Sequence, residues 1–150
     1  MLTFQVERLA DVRAEAEPLL RRHWEEIALN KDKVPLDPDW PLIEHMDATG
    51  ITIITTARRD GKLVGYVCDL THGATGYRSL KVAENFVFWL DPAERGRGVG
   101  LRLLRAAEAN AIERGCNKIV RHVKIKNPEA GRVLEALGYV ATDIIYSKVL

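Results

Sequence analysis

Apolar and polar positions alternate where the chain begins. Across 3–9, Phe4 and Val6 sit between polar neighbours, which predicts a short first strand. The period then lengthens. Leu20, Trp24, Ile27 and Ala28 recur at helical steps, predicting a helix capped by Asp11 and kinked or split at Pro18. Pro35, Pro38 and Pro41 among acidic residues predict a loop over 30–41, with a short helix from Trp40 to Asp47. Ile51 to Ala57 and Leu63 to Leu70, joined by the turn Arg59-Asp60-Gly61-Lys62, predict a hairpin. Gly73 to Gly76 reads as a flexible connection. Val82 to Leu90 then predicts a third strand, with Phe86, Phe88 and Leu90 on one face and Val87 and Trp89 on the other. Apolar residues on both faces mark it as central.

The second half switches to alternating elements. A long helix is predicted from Gly98 to Arg114 with Gly115 as its stop, then a strand from Lys118 to Val123. Pro128 to Leu137 follows as a helix, with Asn127 as N-cap and Gly138 as its end, and Tyr139 to Val149 supplies the last strand. An antiparallel half followed by a β-α-β-α-β half predicts an α/β (α+β) fold, a mixed sheet with helices on its faces.

Composition narrows the possibilities. At 150 residues, 1–150 is expected to be one domain, and 47% apolar residues suffice for a core without disulfides or metal. A formal net charge of +1 excludes a chain devoted to global electrostatic capture of nucleic acid or membrane. Cys68 and Cys116 are far apart and outside C-x-x-C spacing, so they read as buried thiols of a reducing cytoplasm. His23, His45 and His72 show no metal-binding spacing, so no metal is expected. The first residues lack a secretory pattern, and no apolar run nears the ~20 residues that span a bilayer. A soluble, cytoplasmic protein is expected.

The stretch Leu90-Asp91-Pro92-Ala93-Glu94-Arg95-Gly96-Arg97-Gly98-Val99-Gly100-Leu101 carries the candidate chemistry. It predicts a strand-to-helix turn in which three glycines let backbone N–H groups approach a ligand closely. The helix amino end adds partial positive charge, which suits a phosphate or pyrophosphate. Arg95 and Arg97 can add fixed charge beside it. The spacing fits neither a P-loop nor the G-x-G-x-x-G fingerprint, because Leu101 stands where the third glycine would be. The alternative is a glycine-rich turn that only starts a helix.

Two segments together resemble the GNAT superfamily of N-acetyltransferases. Arg95-x-x-Gly98-x-Gly100 before a helix looks like its acyl-coenzyme A pyrophosphate loop. Asn127-Pro128-Glu129-Ala130, then Leu137-Gly138-Tyr139, is similar to its second signature, an N-x-x-A helix ending in Gly-Phe or Gly-Tyr. The element order matches over essentially the whole chain. His23-Trp24-Glu25-Glu26 and Pro35-Leu36-Asp37-Pro38-Asp39-Trp40 resemble a subgroup common in tailed-phage genomes.

The resemblance implies a mostly antiparallel central sheet with a splayed parallel pair, and acetyl-CoA as co-substrate. Backbone amides of Arg95, Gly96, Arg97, Gly98, Val99 and Gly100 would bind the pyrophosphate. Phe88, Trp89 and Leu90 would pair through their backbone with the pantetheine arm, and the strands carrying Phe88 and Val123 would splay to admit the acyl group. Asn127 would touch the pantetheine, serve as a plain N-cap, or do both. Leu134 stands where many family members carry the Tyr that protonates the departing thiolate. The chain after Gly138 is short, so part of the acceptor wall is expected from a partner subunit in a homodimer.

Acetyl transfer to an amine calls for a general base, since an alkyl amine is mostly protonated at neutral pH. Glu84, just before the apolar run of the central strand, is the first candidate; its alternative is a solvated carboxylate. His122 is second, Glu25 and Glu26 are third, and Tyr146 is the substitute acid. Arg102 and Arg105 extend the basic stripe toward an adenosine phosphate or stay solvated. The acidic segment 25–47 suits an amine-bearing acceptor, small molecule or protein. Two competing functions remain: a cofactor-binding module without turnover, and a DNA-directed modifier or binder using Arg95, Arg97, Arg102 and Arg105, which the near-neutral charge disfavours.

Overall fold

The computed structural model describes residues 1–150. Five strands form one sheet in the order β1-β2-β3-β4-β5: β1 (Leu2–Glu7), β2 (Thr52–Arg59), β3 (Lys62–Ala74), β4 (Tyr77–Leu90) and β5 (Lys118–Val120). The first four run antiparallel to their neighbours, and β5 lies parallel to β4. The helices α1 (Leu9–Ile27) and α2 (Trp40–Ala48) belong to one face, α3 (Val99–Glu113) and α4 (Pro128–Ala136) to the other. Each face buries its own apolar layer. Leu9, Val12, Ile43, Ile54, Tyr66, Cys68 and Trp89 form the first, and Ala57, Val64, Val67, Leu103, Leu104 and Leu134 the second. No helix is long and apolar enough to cross a membrane.

Several sequence expectations are corrected by tertiary contacts. Asp11 does not cap α1, which starts two residues earlier at Leu9. The cap comes from α2 instead, where the Asp47 carboxylate accepts from the Leu9 amide at 3.3 Å and from Arg8 Nε at 2.9 Å. Asp11 lies in the first turn, where its charge favours the helix dipole. Pro18 neither splits nor ends α1. The stripe Leu9, Val12, Ala16, Leu19 and Leu20 packs on the sheet on both sides of it, and this burial offsets the lost backbone hydrogen bond. The connection expected at 73–76 is shorter than its glycines suggested. Gly73 and Ala74 complete β3, and β4 starts at Tyr77.

The face assignment along β4 changes at a bulge. Cys68 pairs with Val87 and Asp69 with Asn85, so Phe86 has no partner in register. Phe86 and Val87 therefore both lie on the α1/α2 face, while Phe88 packs with the α3/α4 layer. The predicted grouping of Phe86 with Phe88 and Leu90 does not occur.

The end of the chain departs most. β5 stops at Val120 instead of Val123, because Arg121 turns inward to an ion pair with Asp69 in which both side chains are almost fully buried. The strand expected over 139–149 does not form. Tyr139 packs against the α3/α4 layer, and beyond it the backbone makes no hydrogen bond to the protein. Strands are stable only as members of a ladder, and a three-residue β5 offers little to pair with. Val140, Ile144, Ile145, Tyr146 and Leu150 are consequently exposed.

Candidate active site

The turn leaving β4 is pinned before its glycines begin. Asp91 accepts from Arg22 at 3.0 Å and caps the following turn through the Ala93 amide at 3.0 Å. Glu94 takes a two-pronged bond from Arg59, and Arg95 gives one to Glu26 at 2.5 and 2.8 Å. Arg95 also donates to the Leu90 carbonyl at 2.9 Å. Three ion pairs thus fix the entrance to a segment whose own backbone carries no such ties.

In that segment Gly96 and Gly98 adopt left-handed backbone, with φ of 75° and 71°. Only glycine takes this conformation at little cost, so the winding path into α3 requires both. The path leaves six successive N–H groups, from Gly96 to Leu101, donating to no group of the protein. No side chain caps α3 either. Free amides at the start of a fifteen-residue helix are the donor set an anionic phosphate satisfies. Arg97 is exposed beside them without an ion-pair partner. Arg95, expected to contribute charge here, is instead neutralised by Glu26.

Beside this turn the sheet opens. β4 and β5 are paired only over Val82–Glu84 and Lys118–Val120, which leaves β4 without a strand neighbour on that side from Asn85 to Leu90. Asn85, which sequence reasoning missed, bridges the gap with a buried side chain. Its Nδ2 donates to the His122 carbonyl at 3.2 Å, and its Oδ1 accepts from the His122 amide at 2.5 Å. A side chain thereby replaces one rung of the ladder and holds the two segments apart at fixed spacing. Backbone groups alternate along the open edge: the Asp91 amide turns to the Val64 carbonyl of β3 and Trp89 shares its phase, so Phe88 and the Leu90 amide face the gap, the Leu90 carbonyl being taken by Arg95.

Three titratable side chains meet next to the opening. Glu84 Oε1 accepts from His122 Nε2 at 2.5 Å, and Glu84 Oε2 from His72 Nε2 at 2.9 Å. These bonds, His122 first, hold the Glu84 carboxyl below the usual range. His72 faces an acceptor with each nitrogen, since its Nδ1 meets the Gly73 carbonyl at 3.0 Å. Both contacts need a proton, and the pKa of His72 is raised by the Gly73 carbonyl and Glu84. His122 differs. Only its Nε2 is engaged, so donation to Glu84 leaves Nδ1 as a free lone pair.

His72 was passed over as a lone histidine, but the hairpin register would have found it. Pairing of His72 with Val82 puts it diagonally across from Glu84 on the same face.

The other site candidates fall elsewhere. Glu26 bonds Trp89 Nε1 at 3.0 Å as well as Arg95, and Arg95 chiefly holds its carboxyl below the ordinary range against the opposing effect of burial. It is a clamp on the glycine turn. Tyr146 is 90% exposed on the terminal segment and makes no hydrogen bond. Asn127 precedes α4 without a side-chain cap bond, so its carboxamide is not spent on the helix. Leu134 is buried in the α3/α4 layer, a packing position. No cluster of three metal-ligating side chains is present.

A mixed sheet whose central strand parts from its parallel neighbour, beside a glycine turn offering free amides, defines a class of α/β fold suited to an extended, phosphate-bearing ligand. The chain belongs to the acetyltransferase (GNAT) family, which residues 12–139 match. Among curated proteins it is 32% identical over 94 residues to the mycothiol acetyltransferase of Thermobispora bispora, covering 61% of this chain and 32% of that protein. The enzyme of the same name from Catenulispora acidiphila is 32% identical over 92 residues, covering 60% and 29%. The match spans about a third of these relatives' length.

Solved structures agree in fold. A ribosomal-protein-alanine N-acetyltransferase from Brucella melitensis biovar Abortus 2308 superposes with a TM-score of 0.74 at 21% identity, covering 100% of this chain and 99% of that one. An aminoglycoside acetyltransferase from an uncultured soil metagenomic sample, in complex with sisomicin, gives 0.78 at 13% identity, covering 99% and 96%.

Proposed function

We propose that this chain is an acetyl-CoA-dependent N-acetyltransferase that transfers an acetyl group to a primary amine by direct attack. The observation that carries the proposal is the row of six unpartnered amides from Gly96 to Leu101, next to the unpaired edge of β4. The fit is chemical as well as geometric. A pyrophosphate needs N–H donors and positive potential, which the α3 amino end and Arg97 offer. The pantetheine arm needs amide partners, which Phe88 and the Leu90 amide offer as a strand edge does. In this proposal Asn127, free of capping duty, adds one more contact.

When bound, acetyl-CoA supplies the activated thioester. His122 Nδ1 takes a proton from the acceptor ammonium, and Glu84 holds the imidazole in the tautomer that leaves Nδ1 free. Glu84, the first base candidate, thereby becomes the positioning residue, and His122 the base. The pinned turn and the Asn85 bridge keep these groups in place before substrate arrives. The new C–N bond replaces the C–S bond, the acylated nitrogen gives its second proton to solvent, and the departing thiolate takes one from solvent. A thiol of pKa about 8.5 leaves acceptably near neutral pH, so neither Leu134 nor Tyr146 has to act as acid.

Within the family we place the chain with the tailed-phage subgroup on its 23–26 and 35–40 segments. Its buried free cysteines suit a cytoplasmic setting. The part of the acceptor wall that 140–150 does not form comes from a second subunit in this proposal.

Calorimetric titration with acetyl-CoA, paired with thiol release from an amine panel, tests the function. Binding with amine-dependent thiol release supports it; absence of both refutes it. Gly98→Glu should abolish binding by steric block and like-charge repulsion while the circular dichroism spectrum is retained.

A further inference from the structure

The acidic wall expected for a cationic acceptor is largely consumed within the fold. Glu26 is bonded to Arg95, Glu44 to Arg13 and Asp47 to Arg8, while Asp39 caps α2. Glu25, Asp32 and Asp37 are exposed. Between α1, α2 and the bulge of β4 the surface is instead an apolar groove lined by aliphatic and aromatic side chains, its one hydroxyl, that of Tyr66, being engaged with His23. Val12, Ala16 and Leu20 come from α1, Trp40 from α2, and Phe86 and Val87 from β4.

The groove and the base share one face. Phe86, 52% exposed, lies two residues beyond Glu84 on β4, about 7 Å along a strand. The bulge turns both Phe86 and Val87 toward α1, which doubles the apolar side chains at the point nearest the histidines. A molecule whose nitrogen meets His122 Nδ1 therefore has its next few atoms over hydrocarbon. A sugar amine or an aminoglycoside would have to bring hydroxyls and further ammonium groups into a surface with nothing to bond them.

We propose that the acceptor is a primary amine carrying an alkyl or aryl group, and that this group occupies the α1/α2/β4 groove. The inference rests on the acetyl-transfer proposal for its amine, and on the groove alone for its apolar part. Each methylene that enters is worth about fourfold in affinity, the equivalent of about 0.8 kcal/mol.

The experiment compares ethylamine, butylamine, hexylamine, phenethylamine, glucosamine and kanamycin as acceptors for acetyl-CoA, with butyryl- and hexanoyl-CoA tested on ethylamine. In parallel, equilibrium binding of the same amines is followed by Trp40 fluorescence, with Trp40→Phe as the blank. The proposal expects kcat/KM to rise at least tenfold from ethyl to hexyl, and the fluorescence affinities to follow the same order. Ala16→Phe, which fills the groove, should flatten the series, bringing the ratio of hexylamine to ethylamine kcat/KM close to one. Saturable binding of hexylamine without turnover of any amine would uphold the groove and refute acetyl transfer. Turnover that is flat across the alkyl series or favours glucosamine or kanamycin would overturn the groove and leave acetyl transfer standing. A gain with acyl length but not amine length would overturn it too, by giving the groove to the acyl chain.

Discussion

His23 is buried on α1 against the site's central strand, and acid should loosen the fold there. The residue is 4% exposed, stacked with Trp89 at 6.3 Å between ring centroids, and its Nδ1 lies 3.2 Å from the Tyr66 hydroxyl. Its Nε2 has no partner in the protein. Burial depresses its pKa from 6.5 to about 4, against a smaller opposing pull from Glu26. The folded state thus binds this proton more weakly than the unfolded state. Stability rises with pH across the window from about 4 to 6.5 and is lost on acidification through it. The full difference corresponds to about 3 kcal/mol, of which about 2 kcal/mol is lost between pH 7.5 and pH 5.

Urea unfolding of the wild type and of His23→Phe at a series of pH values isolates this contribution, because the other titratable groups are common to both. The wild type should lose about 2 kcal/mol more than the variant between pH 7.5 and pH 5. Parallel pH dependences, or an imidazole resonance titrating near 6.5 in the folded protein, would refute the reasoning.

Three further outcomes follow from other contacts. Asp69→Asn should cost about 3–5 kcal/mol in denaturant unfolding, because Arg121 would remain buried and uncompensated, whereas Asp69→Leu with Arg121→Met should recover most of the loss. Glu84→Gln should lower kcat about 100-fold and change the pH profile while acetyl-CoA affinity, read by calorimetry, is unchanged. Truncation after Ala141 should leave the unfolding free energy within about 0.5 kcal/mol of the parent, since the removed backbone makes no hydrogen bond.

The glycine turn and the order of elements were legible because they rest on local rules. Gly96 and Gly98 need left-handed backbone, Gly115 and Gly138 stop helices, and the β2–β3 hairpin closes through Asp60 and Gly61 at positive φ. What local rules could not show was how tertiary contacts reassign side chains. Arg95 looks like a phosphate ligand until α1 brings Glu26 against it. Glu84 looks like a free base until two histidines, 12 and 38 residues away in sequence, close on its oxygens. Asn85 carries no signal of its own, since its role exists only where β5 leaves β4. The 139–149 segment has strand-like residues, but strand formation depends on a paired edge.

The central claim is that the amides from Gly96 to Leu101 hold a diphosphate. A crystal structure of the protein soaked with acetyl-CoA tests it most directly. Pyrophosphate oxygens within about 3.2 Å of at least three of these amides, with the pantetheine along Phe88 and the Leu90 amide, is the result predicted. Cofactor bound elsewhere, with the α3 amino end facing only solvent, would contradict it.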